Sequence, residues 1–399
     1  MRVAVFTPYL PYPLDTGGKI RSYHLLCALA AHFEVDLYTV YYGGKPSETD
    51  IGALQEHCRR VILFPLDKSW RTRDRIWRTL ASLPRSVDHF QTPGSLEQAQ
   101  QFLSDSEYDL VIADEICMTP YAELSPDLPR MVSRQKVDHL HYGETAKARP
   151  WGLEKVLDFI EAGKLRRYEK AKMPLYQACL ACSAQDAALI RQDAPAVPML
   201  VIPNGVDLST FVPSGRPKAR EPTLLYVGSM NYYPNIDAVR FFFETMYESI
   251  RQVVPDVGVQ IVGHAPPPEI QQLARLPRVE VTGTVPDVRP YYEQATVFII
   301  PLRLGGGTRL KIVEAMAMGL PVVSTTVGAT GLDVHSGEDI LIADDAASFT
   351  DSVLRLLSGP ELRARITEGG RLLAHRYDWG ELTKPFADLA EAVVKQRKG

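Results

Sequence analysis

Residues 304–319 read Leu304-Gly-Gly-Gly-Thr-Arg-Leu-Lys-Ile-Val-Glu-Ala-Met-Ala-Met-Gly319, directly after an apolar run at 297–301 with the length of a buried strand. The pattern predicts a strand, a glycine-rich turn, and a helix on which Leu310, Val313 and Ala317 share one face. Amides of such a turn and the four unpaired amides of a helix start together make an anion site. Arg309 and Lys311 fall in the first helical turn, where the helix dipole disfavours a cation by roughly 0.3–1 kcal/mol each. A phosphate or diphosphate beside them accounts for that placement. The plainer reading is a glycine loop with solvated basic side chains.

Outward from this joint, short apolar runs alternate with helical patterns along the whole chain. In the first half, 3–7, 35–40, 60–64, 109–113, 130–133 and 180–183 are predicted strands, with amphipathic segments such as 20–31 and 153–172 between them. The stretch that follows Pro203-Asn-Gly-Val-Asp207, up to Pro222, lacks periodicity and reads as a linker. Strands then resume at 224–228, 259–263, 279–283, 297–301, 321–324 and 340–343. Two successive series of this kind predict an α/β protein of two parallel-sheet, Rossmann-like domains, at 1–205 and 206–377. Ligands of such sheets bind beyond the carboxyl ends of the strands, so a cleft between the halves is the expected site. A last helix, 378–399, is expected to cross back to the first domain.

The 399 residues carry a net charge of −4, which argues against nucleic acid as a bulk partner. Five cysteines make no disulfide framework and fit a reducing compartment. Cys179 and Cys182 are three apart on a predicted strand, point to opposite faces and cannot share a metal. The N-terminus enters a strand at once, and no apolar run approaches the ~18–20 residues that span a bilayer. A cytoplasmic protein is expected, with the inner face of the plasma membrane as a place of work. An early loop, Thr7-Pro-Tyr-Leu-Pro-Tyr-Pro-Leu-Asp-Thr-Gly17-Gly18, precedes a helix starting near Lys19, and its two glycines let backbone approach a ligand closely. It is not a dinucleotide fingerprint.

Four features in order resemble the family-4 retaining glycosyltransferases of GT-B architecture, and most of all their bacterial exopolysaccharide-associated branch. They are the Gly17-Gly18 loop, Pro203–Asp207, Tyr226-Val-Gly-Ser-Met-Asn-Tyr-Tyr-Pro-Asn235, and Gly306-Gly-Thr-Arg-Leu-Lys-Ile-Val-Glu314 with the residues after it to Val323. The resemblance implies transfer of a sugar from a nucleoside-diphosphate donor (UDP or GDP) to a glycan or lipid-linked glycan, with retention. It implies that no cofactor is needed beyond the sugar nucleotide itself. Glu314 matches the family glutamate that bonds the ribose, and a carboxylate suits two vicinal hydroxyls. Gly306 stands where relatives carry the first of the two glutamates, so the amides of Gly306 and Gly307 become the expected donor-sugar contacts, with Thr308, Gly228 and Asn235 lining the same donor site. The segment 228–235 lacks the Arg and Lys that relatives place there, which leaves Arg309 and Lys311 to neutralise the leaving diphosphate.

No Asp-x-Asp motif stands at a strand end, and metal independence is expected. Asp138, after the strand at 130–133, is the candidate for contact with the reacting sugar or acceptor, with His139 second, and Gly17 and Gly18 form a phosphate or acceptor loop. Outside these motifs, 68–80 carries Trp70, Arg73, Trp77 and Leu80 at helical spacing among many cations. Such a segment either lies on an anionic membrane surface or packs its tryptophans on the first domain. Two competing functions are a nucleotide-sugar epimerase of GT-B-like fold and an inactive sugar-nucleotide-binding module.

Overall fold

The computed structural model describes residues 1–42, 44–66, 78–79, 81–149, 151–215, 221–304 and 310–398. It divides into two compact units, Met1–Pro203 with Thr383–Gly399, and Asn204–Leu382. The first unit holds a seven-stranded parallel sheet: β1 (Arg2–Thr7), β2 (Glu34–Tyr41), β3 (Arg60–Pro65), β4 (Leu110–Asp114), β5 (Arg130–Arg134), β6 (Ala178–Ala181) and β7 (Met199–Val201). Their order in space is β3-β2-β1-β4-β5-β6-β7. The second unit holds six: β8 (Thr223–Val227), β9 (Gly258–Val262), β10 (Val279–Gly283), β11 (Val297–Ile300), β12 (Val322–Ser324) and β13 (Leu341–Ile342), ordered β10-β9-β8-β11-β12-β13. The α/β, doubly parallel architecture expected from the alternation is therefore present in both units.

In each sheet the winding reverses once. In the first unit β1 pairs on one side with β2 and on the other with β4, and in the second β8 pairs with β9 and β11. Crevices beyond the carboxyl ends of strands open at such reversals. β1 and β11, the strands that precede the two glycine-rich stretches singled out in the sequence, both lie at these reversals. Strands buried on both faces read as continuous apolar runs, and β4 and β11 are buried along their whole length. A ring cluster of Phe6, Tyr38, Phe102 and Tyr121, with centroids 5.4–5.8 Å apart, fills the face of the first sheet next to its reversal.

Several sequence expectations need correction. β6 ends at Ala181, so Cys182 lies past the strand, and its thiol donates to the Gln135 carbonyl at 2.8 Å. The three-residue β7 carries no alternation to betray it. The helix Leu310–Ala317 is not amphipathic about Leu310, Val313 and Ala317: Ile312 to Ala317 are all buried, because the helix lies under a second one, Pro360–Arg376. Within the expected linker, Leu208 and Phe211 pack on the core of the second unit, and just before it Val206 bridges to Asp378. The helix Lys384–Lys398 packs on α1 (Gly17–Ala30) within the first unit.

Candidate functional site

In the second unit the carboxyl ends of β8, β9 and β10 finish in Gly228, Gly263 and Gly283. The Gly228 amide donates to Val262 O at 2.9 Å and the Gly263 amide to Gly283 O at 3.2 Å, so the three strand ends are laced together. A Cβ on Gly263 would stand 1.8 Å from Gly228 O, so only glycine permits this approach. Asn235 shapes the same edge. Its amide oxygen accepts from Tyr226 Oη at 2.9 Å and its nitrogen donates to Ser229 O at 2.8 Å, which spends both ends of the side chain inside the turn. The result is a bare backbone ledge beside the reversal.

Across that reversal, β11 leads to the helix Leu310–Ala317. Gly306, Gly307, Thr308 and Arg309, expected to hold donor and diphosphate, lie outside the described residues. Glu314 does not. It is buried, Oε2 accepts from Tyr292 Oη at 2.9 Å, and Lys311 Nζ lies 3.2 Å and 3.1 Å from its two oxygens. Three residues apart on a helix the two side chains share a face. Burial raises the Tyr292 phenol well above its usual range, and the neighbouring Glu314 charge adds to this, so Tyr292 is a fixed donor. Phe211 stands edge-on to the Tyr292 ring at 6.3 Å and closes that side. Arg303, between β11 and this helix, bonds Asp237 on the helix Tyr233–Thr245 through two nitrogens at 3.1 Å and 2.6 Å, and lies 4.3 Å over the Phe241 ring. Sequence reading passed it over, although it sits within three residues of the glycine-rich stretch.

In the first unit Gly17 and Gly18 open α1, capped by Thr16, whose hydroxyl accepts from the Lys19 amide. A Cβ on Gly18 would come within 2.9 Å of Tyr9 Oη and 3.0 Å of Gln135 Oε1. Gln135 Nε2 donates to Tyr9 Oη, Tyr9 Oη lies 3.2 Å from Ser22 Oγ, and Ser22 donates to the buried Asp114. The loop after β1 is thus tied to the ends of β4 and β5 at the reversal.

Asp138 and His139 belong to a second network. Arg134, fully buried, donates to Asp138 Oδ2 and to Glu169 Oε1, both at 2.9 Å. His139 places its backbone amide 3.2 Å and its Nδ1 2.6 Å from the Glu169 carboxylate. Burial alone would lower the Arg134 guanidinium, but Glu169 and Asp138 overcome it and hold it above its ordinary value. Burial likewise works against the Glu169 charge, and Arg134 with the His139 hydrogen bonds holds that carboxyl below its usual range. Asp138 is therefore a positioned carboxylate at a helix start, with Lys136 Nζ 3.9 Å away.

Sequence reading also missed Glu115. It follows β4 with φ of 76°, a left-handed conformation unusual for glutamate. Its surroundings are Asp114, Lys136, Asp138, Arg134, and the Gln135 amide at 3.5 Å. Burial raises its carboxyl to about 8, with Asp138 adding and Lys136 opposing. Between its ordinary value of 4.5 and about 8, the native state keeps a proton that the unfolded chain has released. Stability therefore falls as pH rises through that window. Glu115→Gln is expected to flatten this fall and to melt above the wild type near pH ~8, with the two converging near pH ~4.5. Thermal melts at both pH values test it, and parallel slopes would refute it.

Among the described residues no three His, Cys, Asp or Glu side chains come together in a way that can hold a metal ion. All five cysteines are free thiols.

Two Rossmann-like parallel sheets, each with one reversal, define a GT-B fold. The chain superposes over 99% of its length on sucrose-phosphate synthase from Thermosynechococcus elongatus, covering 100% of that chain, with TM-score 0.71 and 20% identity. Residues 221–359 match the family model Glycosyl transferases group 1. The phosphatidyl-myo-inositol mannosyltransferase of Mycobacterium tuberculosis is 29% identical over 210 residues, 48% of this chain and 54% of the relative. The chain thus spans about half the length of that curated relative. The lipopolysaccharide core biosynthesis mannosyltransferase LpsB of Rhizobium meliloti is 24% identical over 319 residues, 69% of this chain and 89% of the relative.

Proposed function

We propose that the protein is a retaining, metal-independent glycosyltransferase that moves a sugar from a nucleoside-diphosphate sugar to a glycan or lipid-linked glycan of the cell envelope or an exopolysaccharide. The observation that carries this reading is the buried Tyr292–Glu314 pair with the half-exposed Lys311 bonded to it, within the segment that matches the family model. Glu314 offers a carboxylate to the ribose hydroxyls, and Lys311, with Arg309 from the sequence, offers cations to the diphosphate. Gly228 and the amides of Gly306, Gly307 and Thr308 take the rest of the donor. Charge builds on the diphosphate as the glycosyl bond breaks, so cations fixed there act on the barrier itself. In the first unit, Asp138, His139 and the Gly17-Gly18 loop are assigned to the acceptor. The mannosyltransferase names of two relatives make a nucleoside-diphosphate mannose the first donor to try, with other UDP- and GDP-sugars after it.

A panel of nucleotide sugars, with and without lipid-linked glycan acceptors, separates the readings. Acceptor-dependent release of UDP or GDP supports transfer, isomerised donor means an epimerase, and binding without turnover means a binding module. Glu314→Gln keeps the size of the side chain and an acceptor for Tyr292 but loses the charge. It is expected to weaken nucleotide binding about tenfold, or ~1.4 kcal/mol, with kcat little changed. Calorimetric titration with the nucleotide checks this, and unchanged affinity removes Glu314 from the ribose.

A further inference from the structure

The helix Leu153–Lys172 in the first unit is built inside out over its first half. Its inward face buries Asp158, Glu161 and Glu169 along with Leu157, Leu165 and Tyr168. These acids have partners brought from elsewhere. Asp158 binds Arg85 and Arg149, Glu161 accepts from the Arg85 and Ser86 amides at 2.9 Å each, and Glu169 holds Arg134 and His139. The outward face carries Leu153, Val156, Phe159 and Ile160, exposed by 52%, 43%, 44% and 42%. Trp151, in the turn before the helix, is 85% exposed and has Lys155 Nζ 5.3 Å from its ring.

At 100° per residue these four apolar side chains lie on one stripe, and the same stripe continues through Arg166, Arg167 and Lys170, all exposed. The surface is apolar with two aromatic rings at one end and cationic at the other. On this helix, its neighbour Asp138–Ala148 and the turn between them, the exposed acid is Glu144, against the exposed cations Lys147, Arg149, Arg166, Arg167 and Lys170; Arg149 is paired with Asp158 and Arg166 with Asp193, which leaves Lys147, Arg167 and Lys170 outside any ion pair among the described residues.

We infer that this stripe is a membrane-docking surface that inserts Trp151, Leu153, Val156, Phe159 and Ile160 at an anionic bilayer and holds lipid phosphates with Arg167 and Lys170. The charge pattern chooses this occupant over a second copy of the chain. A two-fold contact through the stripe sets cation against cation if the helices run parallel and lays unpaired cations on apolar surface if they run antiparallel, whereas anionic lipid complements them. No helix among the described residues is long and apolar enough to cross a bilayer, so the contact is one of lying on the surface. The inference does not depend on the sugar-transfer reading, because vesicle binding needs neither donor nor acceptor.

The test is co-sedimentation of the full chain with vesicles of phosphatidylcholine alone and of phosphatidylcholine mixed with phosphatidylglycerol. Binding is expected to the mixed vesicles, to weaken with salt, and to drop about tenfold in Trp151→Ser/Phe159→Ser. Arg167→Gln/Lys170→Gln is expected to lose the preference for anionic vesicles while keeping its melting temperature. The inference is overturned by no binding of the wild type, by binding unchanged in both pairs, or by binding lost only in Trp70→Ser/Trp77→Ser, which moves the contact to 68–80. A dimer that Phe159→Ser dissociates overturns it in favour of self-association.

Discussion

Lys311→Ala is expected to lower kcat by about 10²–10³-fold with a smaller change in donor affinity, the loss typical of removing one preorganised charge from a developing anion. The structure gives Lys311 a second task, because its ammonium lies 3.1 Å from the buried Glu314 carboxylate. Alanine at 311 therefore also leaves that carboxylate with Tyr292 as its remaining partner among the described residues, and a rate loss on its own does not separate the two roles. The double variant Lys311→Ala/Glu314→Ala does. If Lys311 only balances Glu314, removing both restores kcat to near the wild type. If Lys311 stabilises the leaving diphosphate, the double variant stays as slow as the single one. Steady-state kinetics with the donor selected by the nucleotide-sugar panel, paired with calorimetric affinities, decides between them. Arg309→Ala is expected to move kcat in the same direction.

How much of this was legible before the structure varies by element, for physical reasons. The joint after β11 announced itself because a glycine run and misplaced cations are local signals. The parallel sheets were legible because strands buried on both faces are continuous apolar runs. β7 was not, since three residues carry no period. Lys311 was read as free for a phosphate, and its pairing with Glu314 follows from the i,i+3 geometry of the helix Leu310–Ala317. Glu115 was invisible because its signal is a backbone dihedral and a burial, neither of which shows in the letters Asp-Glu at a strand end. Residues 153–172 were correctly read as one helix, but not which face turns inward. The acids face inward because Arg85, Arg134 and Arg149, distant in sequence or outside the helix, supply their partners. Asn235 matched the expected motif, yet its amide is spent on Tyr226 and Ser229.

Arg134→Met should be among the most destabilising single changes in the first unit, by about 3–5 kcal/mol at neutral pH, because it strands two buried or near-buried carboxylates. Arg134 is bonded at 2.9 Å to both Asp138 and Glu169, with Lys136 O at 3.3 Å and Met173 Sδ at 3.5 Å completing its shell. Methionine fills much of the volume but supplies no charge or donor. The pH dependence gives the mechanism away. Glu169 has its carboxyl lowered in the native state, so its contribution is present above its ordinary value of 4.5 and is lost as pH falls through the native value. The gap between wild type and variant should therefore be full near neutral pH and narrow below about 4.5. Arg134→Met/Glu169→Gln, which removes a charge from each side, should recover part of the loss. Because two units need not unfold together, hydrogen exchange across 130–172 is the measurement, read beside urea melts. A gap that ignores pH, or a double variant no better than the single one, would mean that packing rather than charge holds this corner. In that case Asp138 is not an electrostatically fixed carboxylate, and its assignment to the acceptor loses its structural support.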